Sequence, residues 1–160
     1  MIKYLVMDVD GTLTDGKIYM SSDGELFKVF DIKDGYGIHE LLNQHSIVPV
    51  IITGRESKIV ENRSRELGII NIFQGVNNKY ECLSDFLKKK ESGLEEVAYL
   101  GDDIGDYKCM SEIKDHGGIT GSPADAVEDI KLVSCHVSPY KGGRGAVREF
   151  IEWIIRLDQS

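Results

Sequence analysis

Residues 4–15, TyrLeuValMetAspValAspGlyThrLeuThrAsp, contain the pattern that decides the fold. The run Tyr4–Val9 is largely apolar and leads into acids, which is typical of a strand buried on both faces of a sheet. In an open parallel sheet, ligands bind beyond the carboxyl ends of the strands. This one stretch therefore predicts a central strand and, directly after it, part of a functional site.

The rest of the chain alternates between apolar runs of strand length and amphipathic helical segments. The alternation predicts an α/β fold in which a parallel sheet is covered by helices on both faces. Further strands are expected at Ile47–Ile52, Ile69–Phe73, Val97–Leu100, near Ile119 and at Leu132–Val133. Helices are expected at Gly35–Gln44 with Asp34 as N-cap, Glu56–Leu67, Lys79–Lys90 with Asn77 or Asn78 as N-cap, near Tyr107–Ile113 and at Ala146–Leu157.

One irregularity interrupts this alternation, directly after the first strand. Two extended stretches, Lys17–Met20 and Glu25–Ile32, flank the turn sequence SerSerAspGly and predict an inserted β-hairpin. No linker-like tract and no internal repeat divides residues 1–160. We therefore predict a single domain.

Composition argues against several classes of function. The 160 residues include 27 Asp and Glu against 19 Lys and Arg, a formal net charge of −8, which disfavours nucleic-acid binding. No apolar run approaches the roughly 18 residues of a membrane span, and the first residues lack a cleavable signal layout. We expect a cytoplasmic protein with no membrane partner. The three cysteines and four histidines show no ligand spacing, which disfavours a zinc site.

Four segments are expected to bring polar side chains to one edge of the sheet. Taken singly, each is usually a turn, a helix cap or a surface charge, but their joint placement favours a functional site. They are Asp8, Asp10, Gly11 and Thr12 after the first strand, Thr53, Gly54 and Arg55 after the second, Asp102, Asp103 and Asp106 after Val97–Leu100, and Lys79 at a helix start.

The residue types at this edge predict phosphoryl transfer. Asp8 and Asp10 lie two residues apart, so in an extended segment both point to the same side. With Asp102 they form an all-oxygen site of the kind that Mg²⁺ prefers. The pair Thr53–Gly54 offers a hydroxyl and N–H groups to a phosphate, and Lys79 adds a positive charge. A carboxylate nucleophile beside such groups indicates a reaction through an aspartyl-phosphate.

A second reading of the same region fails. The stretch Gly11–Ile18 matches a P-loop except at its last position. Ile18 has no hydroxyl to hold a metal ion, and the following residues are expected to form a strand where a P-loop needs a helix. We therefore reject a nucleotide-binding P-loop.

The four segments together resemble the motifs of the haloacid dehalogenase-like superfamily. The matching stretches are AspValAspGlyThrLeuThrAsp at 8–15, IleIleThrGlyArg at 51–55, AsnLys at 78–79 and GlyAspAspIleGlyAsp at 101–106. The hairpin, the lack of a long cap insertion and GlyGlyArgGlyAlaValArgGlu at 142–149 resemble the capless 3-deoxy-D-manno-octulosonate 8-phosphate phosphatases. The resemblance implies a Rossmann-like fold without a cap domain and Mg²⁺-dependent hydrolysis of a sugar phosphate, with 3-deoxy-D-manno-octulosonate 8-phosphate as the favoured substrate.

The resemblance also implies a role for each residue at the sheet edge. Asp8 is implied to be the nucleophile and a Mg²⁺ ligand. Asp10 is implied to act as general acid and then as general base, with its backbone carbonyl also on the metal, and Asp102 to be the third protein ligand. Thr53 and Lys79 are implied to bind the phosphate, and Asp103 or Asp106 to support the site.

Arginine side chains near the predicted phosphate site indicate that the substrate carries a second anionic group. Arg55 directly follows the Thr53–Gly54 pair, and a guanidinium suits a sugar carboxylate. Arginine at this place resembles the octulosonate phosphatases and favours an eight-carbon keto-acid phosphate; phosphatases of nine-carbon keto-sugar 9-phosphates share the rest of the pattern and remain the alternative. Arg144 is a further candidate anion contact, whereas Arg148 fits an ordinary helix-surface charge slightly better.

The resemblance implies a homotetramer in which hairpins associate and neighbouring subunits help to close each site. The hairpin is more apolar than a free ribbon needs. Its apolar residues are Ile18, Tyr19, Phe27, Val29 and Phe30. The chain departs from the family pattern around Lys114–Gly118, where it carries extra polar residues.

Two other classes of function share parts of this pattern. Related domains of nucleotide-sugar synthetases serve assembly and lack part of the catalytic set, whereas this chain has the whole set. Phospho-receiver proteins also combine strand-end acids with Thr and Lys, but Asp10, two residues after the nucleophile, favours rapid hydrolysis over a long-lived phosphoryl group. Catalysis is therefore the favoured interpretation.

Overall fold

A computed structural model describes residues 1–158 of the chain. The elements alternate along the sequence as the hydrophobic pattern predicts. The strands are β1 Tyr4–Met7, β2 Tyr19–Ser21, β3 Gly24–Phe27, β4 Val48–Ile52, β5 Asn71–Phe73, β6 Val97–Leu100, β7 Ile119–Ser122 and β8 His136–Val137. The helices are α1 Ile32–Tyr36, continued by a π-helical turn at Gly37–Leu41 into α2 Leu42–Gln44, then α3 Lys58–Glu66, α4 Lys79–Lys89, α5 Ile104–Asp115, α6 Glu128–Val133 and α7 Ala146–Asp158.

Six strands form one parallel sheet in the order β5-β4-β1-β6-β7-β8. In the centre, Tyr4 of β1 lies in register with Val48 of β4 and Val97 of β6. Strands β2 and β3 form a separate antiparallel pair. The predicted α/β fold with an inserted hairpin is confirmed.

Apolar layers cover both faces of the sheet, and β1 contributes to each in alternation. Leu5 and Met7 belong to the layer that includes Phe150 and Ile151 of α7. Tyr4 and Val6 belong to the opposite layer, with residues of α4 and α5. This burial on both faces explains why β1 is a continuous apolar run. Within residues 1–158, no helix is both long and apolar enough to cross a membrane.

The helix predicted to start after Asp34 starts earlier. Its N-cap is Asp31, whose carboxylate accepts hydrogen bonds from the N–H groups of Lys33 and Asp34. Asp34 is 2% exposed, and its Oδ1 accepts a hydrogen bond of 2.9 Å from the N–H of Arg148. The prediction of Asp34 as the cap of its own helix was wrong, because two aspartates stand three residues apart and Asp34 serves the distant helix α7 instead.

The strand predicted at Leu132–Val133 was also wrong. These residues form the last turn of helix α6, and β8 follows at His136–Val137. Helical spacing explains the difference, since Ala126, Ile130 and Val133 pack together into one apolar layer.

Other boundaries move by a few residues for capping reasons. Helix α5 was expected near Tyr107, but it starts at Ile104 because Asp103 and Asp106 form a capping box. Helix α4 uses Asn78 as its N-cap, which accepts a hydrogen bond from the N–H of Glu81. The caps therefore fix where Lys79 and the acids 102–106 stand.

Replacing Asp34 with Ala is expected to lower the free energy of unfolding by about 1–2 kcal/mol, the usual range for a lost helix cap. The carboxylate accepts a hydrogen bond from the N–H of Arg148 in the first turn of α7. Urea unfolding measures the effect, with Asp115→Ala, exposed at the end of α5, as the control. Equal stability of Asp34→Ala and the parent chain would contradict this capping role.

Candidate active site

The carboxyl ends of β1, β4 and β6 meet at a small cleft of about 230 Å³. All four segments singled out in the sequence contribute to it. Its lining residues are Asp8, Asp10, Thr53, Gly54, Arg55, Lys79, Asp103, Gly105 and Asp106.

Three carboxylates crowd one side of this site. Asp8, Asp102 and Asp106 each offer an oxygen, and these oxygens lie within 4.8 Å of one another. Burial, with the charge of Asp106, raises the pKa of Asp8, although Lys79 opposes the shift. Burial, with the charges of Asp8 and Asp106, raises the pKa of Asp102 to about 8. Three carboxylates that share a single ammonium group, that of Lys79, form an all-oxygen cluster that fits a hard divalent cation such as Mg²⁺.

Asp106 organises the cluster. Its Oδ1 accepts hydrogen bonds from Lys79 (2.8 Å) and from the hydroxyl of Tyr99 (2.7 Å). Its Oδ2 accepts from the backbone N–H groups of Asp102 (3.1 Å) and Asp103 (3.3 Å). Since both oxygens already have donors, Asp106 is suited to support the site, and Asp8 and Asp102 are better placed to bind a metal ion.

Lys79 lies at the start of α4 and turns back into the cleft. Its Nζ is 2.9 Å from Asp8 Oδ1 and 2.8 Å from Asp106 Oδ1. Burial by itself would lower the pKa of Lys79, but the charges and hydrogen bonds of Asp106 and Asp8 outweigh burial and raise it. The ammonium therefore stays charged beside Asp8.

The loop after β1 needs a glycine for this geometry. Gly11 has φ +91°, and a Cβ at this position would lie 1.9 Å from Oδ2 of Asp102. The next residue, Thr12, donates a hydrogen bond of 3.1 Å to Oδ1 of Asp102. Gly11 thus permits, and Thr12 fixes, the approach of Asp102 to the first strand.

The loop after β4 offers groups for an anion. The side chain of Thr53 is almost completely buried at the cleft, and Arg55 is exposed at its rim. Within residues 1–158, the N–H groups of Gly54 and Arg55 have no hydrogen-bond acceptor. Free N–H groups in a turn are suited to phosphate oxygens.

The segment GlyGlyArgGly at 142–145 packs against the loop that follows β1. A Cβ on Gly142 would lie 1.9 Å from the carbonyl oxygen of Gly11, and the N–H of Gly143 donates to the carbonyl of Thr12 (3.1 Å). Arg144 does not line the cleft. With Arg148 it lines a separate cavity of about 570 Å³, so substrate contact by Arg144 stays a prediction.

Asp10 is held by Lys28, a residue outside the segments that the sequence pattern singles out. Lys28, at the end of the hairpin, places its Nζ 2.7 Å from Oδ1 of Asp10 and 2.9 Å from Glu25. Burial alone would lower the pKa of Lys28, but its hydrogen bonds to Asp10 and Glu25 outweigh burial and raise it. The local sequence carries no signal for this contact, because a lysine on a two-stranded ribbon normally faces solvent.

The Asp10 carboxylate thus stands apart from the three clustered acids. Its side chain is paired with Lys28, and the clustered carboxylates are Asp8, Asp102 and Asp106. Metal binding by Asp10 was predicted to include its backbone carbonyl and stays a prediction.

Mg²⁺ is expected to stabilise the protein more at about pH 9 than at about pH 6. The pKa of Asp102 is raised from 3.8 to about 8, so in the metal-free protein this group favours folding most at low pH and loses that contribution as the pH rises towards 8. The ion binds the deprotonated form and competes with a proton below that pH. Thermal unfolding with Mg²⁺ or with a chelator measures the difference. Asp102→Asn is the matched control and should remove most of this pH dependence; an equal Mg²⁺ effect at both pH values would contradict the prediction.

No family model matches the chain. Among curated proteins, it is similar to the 3-deoxy-D-manno-octulosonate 8-phosphate phosphatase KdsC of Salmonella typhi, with 42% identity over 163 residues, covering 99% of this chain and 84% of the relative. The enzyme of the same name from Escherichia coli K12 shows the same identity and coverage.

Solved structures are similar over nearly the whole chain. One is the 3-deoxy-D-manno-octulosonate 8-phosphate phosphatase from Moraxella catarrhalis in complex with magnesium, phosphate and KDO, with a TM-score of 0.90, 41% identity and coverage of 97% of this chain and 86% of that one. Another is the cobalt-bound deoxy-D-mannose-octulosonate 8-phosphate phosphatase from Haemophilus influenzae, with a TM-score of 0.89, 35% identity and coverage of 97% and 88%.

Proposed function

Because the chain belongs to the 3-deoxy-D-manno-octulosonate 8-phosphate phosphatases, capless members of the haloacid dehalogenase-like superfamily, we propose that it releases inorganic phosphate from 3-deoxy-D-manno-octulosonate 8-phosphate. It is a Mg²⁺-dependent phosphoric monoester hydrolase. The observation that carries the proposal is the contact of Lys79 with Asp8 inside a cluster of three carboxylates at the sheet edge. This arrangement combines a carboxylate nucleophile with the charges that phosphoryl transfer needs.

Asp8 is the proposed nucleophile. Its carboxylate attacks phosphorus, the bond from phosphorus to the sugar oxygen breaks, and an aspartyl-phosphate forms. Lys79 contacts Asp8 and is placed to stabilise negative charge on the phosphoryl oxygens. Thr53 and the N–H groups of Gly54 and Arg55 are proposed to bind the same oxygens.

Asp10 is the proposed general acid and base. It gives a proton to the departing sugar oxygen, then takes one from the water that hydrolyses the aspartyl-phosphate. Asp8, Asp102 and the backbone carbonyl of Asp10 would hold Mg²⁺, which neutralises charge on the phosphoryl group when bound. Arg55, at the rim of the cleft, is proposed to contact the carboxylate of the sugar acid.

A panel of sugar phosphates compared by kcat/KM tests the substrate. We expect 3-deoxy-D-manno-octulosonate 8-phosphate to exceed simple hexose phosphates, which have no carboxylate for Arg55, by about 10-fold or more. We also expect it to exceed nine-carbon keto-sugar 9-phosphates. Preference for a nine-carbon substrate would overturn the choice of sugar. Inactivity towards every ester, including p-nitrophenyl phosphate, in folded and Mg²⁺-loaded protein would favour an assembly role instead.

Because the cleft of one chain is small, the proposal includes the association of several copies of the chain. A volume of about 230 Å³ leaves the sugar beyond the phosphate mostly uncovered by one chain. Several apolar side chains of the hairpin are exposed, which supports a homotetramer that associates through the hairpins. They are Ile18, Met20, Leu26, Phe27 and Val29. We further propose that residues 1–160 act as one phosphatase domain and that the enzyme is cytoplasmic.

A further inference from the structure

We propose that Lys28 is a positioning residue for Asp10. The inserted hairpin would then contribute to catalysis by holding the side chain of Asp10 in place. The inference rests on the proposed role of Asp10 as general acid and base. Lys28 lies outside the four segments that meet at the sheet edge. The contact itself is an ion pair of 2.7 Å between Lys28 Nζ and Asp10 Oδ1.

The burial of Lys28 shows that this contact is built into the fold. Only 4% of its side chain is exposed, against 25% for Asp10. A lysine ammonium is almost never buried without a partner, because desolvation of the charge is costly. Two carboxylates, Asp10 and Glu25, compensate that cost here.

Glu25 fixes Lys28 in turn. One oxygen of Glu25 lies 2.9 Å from Lys28 Nζ, and the other accepts a hydrogen bond of 2.6 Å from the hydroxyl of Ser57. The N–H of Ser57 donates to Gln74 Oε1 at 2.8 Å. The chain of contacts therefore ties the hairpin and Asp10 to the segment that follows the phosphate-binding loop.

The geometry leaves Asp10 held by one oxygen. Lys28 occupies Oδ1, while Oδ2 has no hydrogen-bond donor among residues 1–158. In the acid form the proton would sit on the free Oδ2 while Oδ1 still accepts from Lys28. A side chain fixed in this way loses rotational freedom before the substrate arrives, which favours reaction. Lys28 is not among the residues that line the cleft and only 4% of its side chain is exposed, so it is placed to act through Asp10.

The test compares two esters that differ in leaving group. Departure of a sugar alkoxide needs a proton from Asp10, whereas p-nitrophenolate leaves without one. The ratio of kcat/KM for 3-deoxy-D-manno-octulosonate 8-phosphate to that for p-nitrophenyl phosphate thus reports proton donation in the first step. Asp10→Asn is the reference and should lower this ratio by about 10²-fold or more, the usual contribution of general acid catalysis.

Lys28→Met is expected to lower the same ratio by about 10-fold, since Asp10 remains but is no longer fixed. Lys28→Arg should restore most of the ratio, and Glu25→Gln should lower it less than Lys28→Met does. Lys17→Met is the matched control, because Lys17 is an exposed lysine just before strand β2 of the hairpin. It should leave the ratio unchanged. Thermal unfolding of each variant confirms that it is folded.

The outcomes separate the inference from the proposed function. If Asp10→Asn lowers the ratio and Lys28→Met does not, Lys28 merely anchors the hairpin and the inference is overturned, whatever happens to stability. Equal losses with both esters in Lys28→Met would overturn it as well. If Asp10→Asn itself leaves the ratio unchanged, the proposed acid role of Asp10 fails and the inference falls with it.

Discussion

Asp8→Asn is expected to lower kcat for every phosphate ester by about 10⁴-fold or more, because loss of a covalent nucleophile removes the reaction path itself. The amide matches the carboxylate in shape but cannot attack phosphorus. Asp8 is 6% exposed, and its Oδ1 lies 2.9 Å from Lys79 Nζ. The loss should be equally large with p-nitrophenyl phosphate, whose good leaving group does not relieve the need for a nucleophile.

Stability supplies the control for Asp8→Asn. Burial and the charge of Asp106 raise the pKa of Asp8, so the fold favours a neutral group at this position. We expect the metal-free variant to unfold at a temperature no lower than that of the parent chain. Mass spectrometry provides a second check: phosphorylated protein should accumulate in Asp10→Asn, where the hydrolytic base is missing, and be absent from the double variant. Near-normal turnover by folded Asp8→Asn would refute the covalent scheme.

Lys79→Met is expected to lower kcat/KM by about 10²–10³-fold, the loss typical of removing one preorganised group that stabilises the transition state. Lys79 is the cation in contact with both Asp8 and Asp106. Without it, two buried carboxylates lose their partner, and breaking such a pair costs about 3–5 kcal/mol of stability. Steady-state kinetics and urea unfolding measure the two effects.

Lys88→Met is the matched control, since Lys88 lies on the same helix and is exposed. It should change neither activity nor stability appreciably. Lys79→Arg should recover little activity, because a planar guanidinium does not reproduce an ammonium between two carboxylates at 2.9 and 2.8 Å. Activity of folded Lys79→Met within a few-fold of the parent would show that this lysine does not act on the phosphoryl group.

Much of the fold follows from local patterns. The apolar run before Asp8 and the run Val97–Leu100 predict buried strands because each is covered on both faces. Asn78, one of the two predicted N-cap candidates, starts helix α4 through cap geometry that short sequences encode. The strand at Leu132–Val133 failed because a short apolar pair fits helix or strand equally well, and packing decided it.

The functional site likewise has features that local sequence predicts and features that only packing decides. The sequence by itself determined which segments meet at the sheet edge, because a parallel sheet places all its carboxyl strand ends together. Only the tertiary structure decided that Lys28 holds Asp10 and that Asp34 caps a helix 114 residues away. Those pairs depend on how remote segments pack, and no local periodicity or spacing encodes a contact between a ribbon lysine and a strand-end acid.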